Sequence, residues 1–345
     1  MSAIVTRTGR LVLYALALTG GALTAHLTAP GAINAVARAT DVRAAASEPL
    51  VVGRRDSTAP LPELELPTPN IVAGQPDTFG RAFKGGKIIG GGTQHRLILF
   101  SFDDGPDRRH TPLLLDRLDA EGIRGVFFLT AARLAGRNLM ERQQIAIARE
   151  IAARGHTIAS HTLDHEQLPL LDDAAVRAQI VGAERVFERV FGRRPWLMRP
   201  PGGARSARVD RLIAERGYTT ILWNLGAGDF QVRSAQEVVE TWKKVFERRE
   251  EQFGERGGII LLHDTHAWSV DAFQMIVAEL WRRNCELLVQ GDELYDIVND
   301  PALFFEPRAD APATAFARPA TLPPELLAQR QAAVRREAER RCVEM

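Results

Sequence analysis

The chain has 345 residues, 45% hydrophobic and 25% charged, an ordinary globular composition with room for one large domain and appendages or for two small domains. Its 44 Lys and Arg nearly balance its 43 Asp and Glu, so there is no overall basic field to hold a polyanion, and nucleic acid is excluded as a partner.

Residues 1–37 read as a targeting segment: Arg7 and Arg10 precede an apolar run from Leu11 to Ala25, and Ala35-Val36-Ala37 offers the small residues of a processing site. The alternative is an uncleaved N-terminal anchor giving membrane attachment, although a run of about 15 residues is shorter than the roughly 20 that span a bilayer. Both readings imply an exported protein in the periplasm, the cell envelope or the extracellular space. Residues 38–90 are rich in Ala, Pro, Thr and Ser, as in LPELELPTPN, and form a linker or an extended wrap, with GGKIIGGG near their end as a short hairpin.

From Leu97 to Val298 short apolar or aromatic runs alternate with longer stretches of helical periodicity. Seven candidate strands stand out: LILFSF (97–102), GVFFLT (125–130), HTIAS (156–160), WLMR (196–199), TTILWN (219–224), GIILLH (258–263) and ELLV (286–289). Asp172 is placed to cap a helix whose stripe is Val176, Ile180, Ala183 and Val190, and Ser206, Ser234 and Asp271 to cap others. Apolar runs separated by helices imply a parallel sheet with crossover helices. The predicted fold class is α/β, an irregular, incomplete (β/α) barrel of about seven parallel strands within a domain at 91–300, because there are too few units for a full eight-stranded barrel; a doubly wound open sheet is the alternative. The tail, 301–345, begins apolar at Ala302, Leu303, Phe304 and Phe305, becomes Pro- and Ala-rich, and ends in alternating Arg and Glu. It is expected to pack briefly and then fray, with a short, solvated helix at its end. Cys285 and Cys342 lack a metal-ligand spacing and are either a disulfide or two free thiols.

In both architectures ligands bind beyond the carboxyl ends of the strands, which narrows the search for chemistry. The first strand ends in SFDDGPD. Adjacent carboxylates Asp103 and Asp104 raise one another's pKa unless a cation compensates, although DDGP is also good turn sequence. The third ends in SHTLDHEQL, with His161 and His165 four residues apart, on one face if the segment turns helically; neutral imidazoles so spaced suit a divalent transition metal. With Asp104 they make an Asp-His-His set that leaves coordination positions open, as catalytic metal sites do. In RPPGGARS, Arg199 can grip a carboxylate in a fixed fork and the Gly-Gly turn exposes backbone N–H groups. WNLGAGDF adds Asp229, and LLHDTH adds His263, Asp264 and His266.

In this order, SFDDGPD, SHTLDH, RPPGG, WNLGAGDF and LLHD resemble the five motifs of the polysaccharide deacetylase family (the NodB homology domain, carbohydrate esterase family 4), over roughly Leu97 to Val298. The resemblance implies an irregular β/α barrel that removes acetyl groups from N-acetylated polysaccharide or oligosaccharide with a divalent metal, zinc first, with cobalt or nickel as substitutes. Carried over by position, it makes Asp104, His161 and His165 the metal ligands, Asp103 the general base, Arg199 its orienting partner, His263 the general acid, Asp229 the group that tunes it, and the backbone N–H near Gly202 an oxyanion donor. Three positions depart from the family pattern: Gly202 replaces an aromatic or larger residue, Phe230 a Trp, and Asn224 an acid, the last predicting a changed surrounding for Arg199. The rival readings are an inactive glycan-binding module and a metal hydrolase of another small amide or ester on the same scaffold. A glycosidase is excluded, since adjacent carboxylates cannot straddle a glycosidic bond at the roughly 5–9 Å required.

Overall fold

A computed structural model describes residues 78–80, 88–136, 138–306 and 310–343. The targeting segment and nearly all of the linker lie outside these residues. Among the described residues no helix is long and apolar enough to cross a membrane.

Contiguous apolar stretches become strands, and amphipathic stretches become the helices between them. In chain order these are β1 (Ile88–Ile89), β2 (Leu97–Asp103), α1 (Thr111–Ala120), β3 (Val126–Leu129), α2 (Leu139–Ala153), β4 (Thr157–Ser160), α3 (Asp173–Phe191), β5 (Leu197–Met198), α4 (Ala207–Glu215), β6 (Thr219–Ile221), β7 (Leu225–Gly226), α5 (Ala235–Phe253), β8 (Gly258–His263), α6 (Ala267–Gln290), β9 (Asp296–Ile297) and α7 (Pro324–Cys342). Asp172, Ser206 and Ser234 cap α3, α4 and α5, each accepting a backbone N–H from the first turn. Asp271 caps nothing: α6 begins four residues earlier, and Asp271 instead pairs with Arg117 at 2.7 Å.

The strands form one sheet in the order β1-β6-β5-β4-β3-β2-β8-β7, every pairing parallel, with β9 added beside the start of β2. Its two ends, β1 and β7, are not paired with each other, so the architecture is an irregular, incomplete α/β barrel. Two strands, β7 and β9, were not anticipated, because two-residue strands carry too little pattern, and β1 falls in the segment expected to form a hairpin. Ile88 and Ile89 pair with Thr220 and Ile221 as a parallel edge instead of folding into a hairpin. The run at 286–289 is the last turn of α6, where Leu287 is buried and Val289 is 89% exposed. Four apolar residues fit a helix as well as a strand, and here the helix that precedes them continues.

Alternation along the strands sorts residues onto two faces. Ile98, Phe100 and Phe102 of β2 pack toward the helices with Phe127 and Phe273, whereas Leu97 and Leu99 pack inward with Val126, Phe128, Ala159, Leu197 and Ile259. Asp103, His161, Arg199 and His263 continue the inward-facing series at the strand ends, and β2 and β8 are in register so that Asp103 stands beside His263.

The tail does not fray. Phe304, Phe305 and Leu322 are buried against the inner core, Phe316 bridges to Ile88 at the open edge of the sheet, and α7 packs on α6. Only Ala338 of α7 is fully buried; the helix is secured by the Cys285–Cys342 disulfide, by Arg330 on Asp296 (3.0 Å), and by Gln331, which accepts from Leu294 N–H (2.8 Å) and donates to its carbonyl (3.0 Å).

His156, just before β4, is buried edge-on to Phe127; its Nδ1 accepts from Gly125 N–H at 3.2 Å and its Nε2 has no partner. Burial, with the nearby Arg124 adding, lowers its pKa from 6.5 to about 4. Between these values the unfolded chain binds a proton that the folded one refuses. The stabilisation from neutral His156 is therefore complete above pH 6.5 and lost as the pH falls toward 4, by about 3 kcal/mol in all. Denaturant titrations of wild type and His156→Gln should diverge in slope over that window; parallel pH dependence would contradict the assignment.

Candidate active site

Four strand ends converge on one cluster. At the end of β2 the chain turns sharply: Asp103 is 3% exposed and faces inward, and Asp104 adopts a left-handed backbone (φ 73°) with its carboxylate near the same imidazole, His161, that Asp103 approaches. The next residue is closely confined, since a Cβ on Gly105 would collide with the carboxylate of Asp264, itself held by Thr111 Oγ1 at 2.5 Å.

After β4, His161 and His165 meet through a turn, not a helix. Thr162 and His165 both have φ 69°, a region costing of order 1–3 kcal/mol for a non-glycine residue, so the surrounding structure must enforce it. The result is that His161 Nε2 and His165 Nε2 lie 3.4 and 3.2 Å from Asp104 Oδ1. His161 Nδ1 is 2.8 Å from the Arg199 carbonyl, which can only accept, so the proton sits on Nδ1 and Nε2 presents its lone pair. Burial also holds the His161 pKa down, favouring the neutral ring. Burial works against ionised Asp104, but the imidazoles of His165, His161 and His263 more than offset it and keep the group well below the usual carboxylate range.

These observations fit a metal ion. Asp104 Oδ1 is buried without a hydrogen-bond partner, and one donor atom from each of Asp104, His161 and His165 falls within 4.8 Å of the others. One carboxylate and two neutral imidazoles are a donor set for zinc and its neighbours.

Arg199, at the end of β5, is fully buried. It donates from Nη1 to Asp103 Oδ1 (2.6 Å) and Ser101 Oγ (3.0 Å), from Nε to the Ile221 carbonyl (2.9 Å) and from Nη2 to the Leu222 carbonyl (3.1 Å), and it lies 3.9 Å above the Phe128 ring. This grip uses one oxygen of Asp103 and leaves Oδ2 facing His161 Nε2 at 3.6 Å. Asn224 takes no part in it. Its side chain instead bonds Glu255 (3.0 Å), the Gly257 carbonyl (3.1 Å) and Ile259 N–H (3.0 Å) at the start of β8.

On the other side His263 Nδ1 is 2.8 Å from Asp229 Oδ1, and its backbone N–H donates to Asp229 Oδ2 at 2.6 Å. Burial alone would depress His263, but the hydrogen bond and charge of Asp229, with Asp103 and Asp104 adding, raise it to about 9. Its Nε2 faces Asp104 Oδ2 at 4.0 Å. Phe230, 58% exposed, stands edge-on to the imidazole at 6.0 Å, and Gly202 is an exposed left-handed residue (φ 61°) whose missing Cβ would meet nothing closer than the Gln167 side chain at 3.9 Å.

Contacts between side chains thus bring Asp103, Asp104, His161, His165, Arg199, Asp229 and His263 into one cluster. Residues 90–221 match the family model for polysaccharide deacetylase. Over these residues the chain resembles polysaccharide deacetylases. The match holds Asp103, Asp104, His161, His165, Arg199 and Gly202; Asp229 and His263 follow it. Among curated relatives the chain is 29% identical over 189 residues to a peptidoglycan-N-acetylglucosamine deacetylase of Bacillus cereus, covering 53% of this chain and 62% of the relative. It is 30% identical over 186 residues to a chitin deacetylase of Pestalotiopsis, covering 54% and 59%. The matched region thus spans less than two thirds of either relative. Among solved structures, the chitin deacetylase of the fungal pathogen Colletotrichum lindemuthianum aligns with a TM-score of 0.50 at 27% identity, covering 56% of this chain and 85% of that one, and shares the deacetylase fold.

The sequence did not single out Ser101, Phe128, Trp268 or Ser269, all of which touch this site. Ser101 was within reach, standing two residues before Asp103 on the same face of β2. The others depend on which strands and helices become neighbours.

Proposed function

We propose that the protein is a polysaccharide deacetylase that removes acetyl groups from N-acetylated sugars of an envelope or extracellular glycan, peptidoglycan or a chitin-like polymer. The observation that carries the reading is the placement of a lone-pair donor set beside two braced groups: Asp103, held by the Arg199 guanidinium, and His263, held by the Asp229 carboxylate.

Asp104, His161 and His165 would hold a divalent ion, zinc first, which when bound supplies Lewis acidity toward the acetyl carbonyl and the water that attacks it. Asp103 takes the proton of that water on Oδ2, its other oxygen being occupied by Arg199. The backbone N–H near Gly202 supports the developing oxyanion. His263, charged at neutral pH because Asp229 holds its pKa up to about 9, delivers the Nε2 proton to the departing sugar nitrogen, otherwise a very poor leaving group. Phe230 and the open space at Gly202 shape the groove without touching the proton transfers. The N-terminal segment fits an exported protein acting on such a polymer.

The test is acetate release, matched by new free amines, from chitin oligomers and from peptidoglycan. We expect release from at least one of them. Silence on both by metal-loaded protein would move the assignment to another small amide or ester.

A further inference from the structure

We infer that Trp268 and Ser269, in the first turn of α6, are positioning residues for the Asp229–His263 pair, an assignment that rests on the deacetylase reading above. Asp229 is 1% exposed and sits on the irregular connection between β7 and α5, next to Gly228, which has a left-handed backbone (φ 66°). Such a connection does not fix a carboxylate by itself. α6 does so at two points. Ser269, 2% exposed, donates from Oγ to Asp229 Oδ2, and Trp268 donates from Nε1 to the Asp229 backbone carbonyl at 2.6 Å. Oδ2 therefore receives Ser269 Oγ–H and the His263 backbone N–H, and Oδ1 is left to the His263 imidazole.

The indole is itself held. The His266 ring stacks on it at 4.7 Å and 21°, and the Arg233 guanidinium lies 4.9 Å from its centre. The single stretch His263 to Ser269 thus supplies both the acid and the brace of the carboxylate that orients it. Without the Ser269 hydroxyl the carboxylate is held only by His263, the residue it has to orient, and without the indole N–H the Asp229 backbone loses its tether. Either change misaims His263 Nε2 while leaving Asp104, His161 and His165 untouched. Misplaced acids lose rate more than affinity.

The experiment compares wild type with Ser269→Ala, Ser269→Thr and Trp268→Phe, all zinc-loaded, on a chitin oligomer and on an aryl acetate whose leaving group needs little protonation. For the oligomer, kcat should fall ~10-fold in Ser269→Ala and about fivefold in Trp268→Phe, with KM and bound zinc within about twofold of wild type, a fraction of what a whole general acid contributes. Ser269→Thr should restore most of the loss, and the loss should shrink on the aryl acetate. The downfield Nδ1 proton resonance of His263, assigned by its disappearance in His263→Gln, should shift or broaden in Ser269→Ala and recover in Ser269→Thr. Wild-type kcat in Ser269→Ala overturns the inference, and so do equal losses on both substrates with no rescue by threonine. If wild type itself releases no acetate, the deacetylase reading fails, and the resonance decides: unchanged in Ser269→Ala, it overturns the brace as well.

Discussion

Asp104→Ala and His161→Ala should lose bound divalent metal and acetate release together, whereas Asp103→Asn should keep the metal and lose turnover by roughly 10³-fold. The difference follows from which atoms face which neighbours. Asp104 Oδ1 and the Nε2 atoms of His161 and His165 form the donor set, and no other described residue contributes to it, so removing one leaves two ligands. Asp103 faces the set by Oδ2 but is engaged by Arg199 through Oδ1. Asparagine can still accept the Arg199 hydrogen bond, which avoids leaving a buried guanidinium unpaired, a loss of about 3–5 kcal/mol when one partner of a buried pair is removed. What it cannot do is take a proton from water, and a base of this kind contributes roughly 10²–10⁴ in rate. Metal analysis and acetate release on the three purified variants read both quantities. Normal turnover by Asp103→Asn would remove it as the base, and full metal content in His161→Ala would remove the donor set.

The second large effect is at His263. Alanine there should lower kcat by about 10²–10³ with little change in KM, because the group acts on the leaving nitrogen in the transition state and not on the bound ground state. Its pH dependence has a definite sign. The acid form is required, so turnover persists below the pKa of about 9 and falls as the pH rises through it. Asp229→Asn removes the hydrogen-bonded charge that holds this value up. Burial then acts unopposed by Asp229 and lowers the imidazole, moving the alkaline limb toward neutral pH and stripping activity at pH 8 while sparing more of it at pH 6. Profiles of kcat from pH 6 to 10 for wild type and Asp229→Asn test this. Identical alkaline limbs would show that His263 is not the acid.

The strands that carry the site were legible because they are buried on both faces. LILFSF, GVFFLT and GIILLH are continuous apolar runs that only a covered parallel strand explains, and each corresponds to a strand within a residue or two at either end. β7, β9 and the end of α6 were not, and β1 was read as half of a hairpin, since two to four residues do not fix an element or its partner. The tail was misread for another reason. α7 buries almost no apolar side chain of its own and is held by a disulfide and by polar pairs to β9 and to the residues just before it, and long-range pairs of that kind leave no local pattern.

The site divides in the same way. Acids and histidines at strand ends announce themselves by residue type. The left-handed turns at Asp104, Thr162 and His165, which let the donor set converge, do not, because they belong to residues that rarely adopt them. Phe128 beneath Arg199 and Ser269 beneath Asp229 are ordinary core and helix residues until the fold sets them there.

The most direct test is acetate release by the purified protein from chitin oligomers and peptidoglycan, before and after treatment with a chelator, and again after adding zinc or cobalt. The account predicts release that chelation abolishes and either metal restores. Release that persists in metal-free protein, or none in protein shown to hold metal at Asp104, His161 and His165, would contradict it.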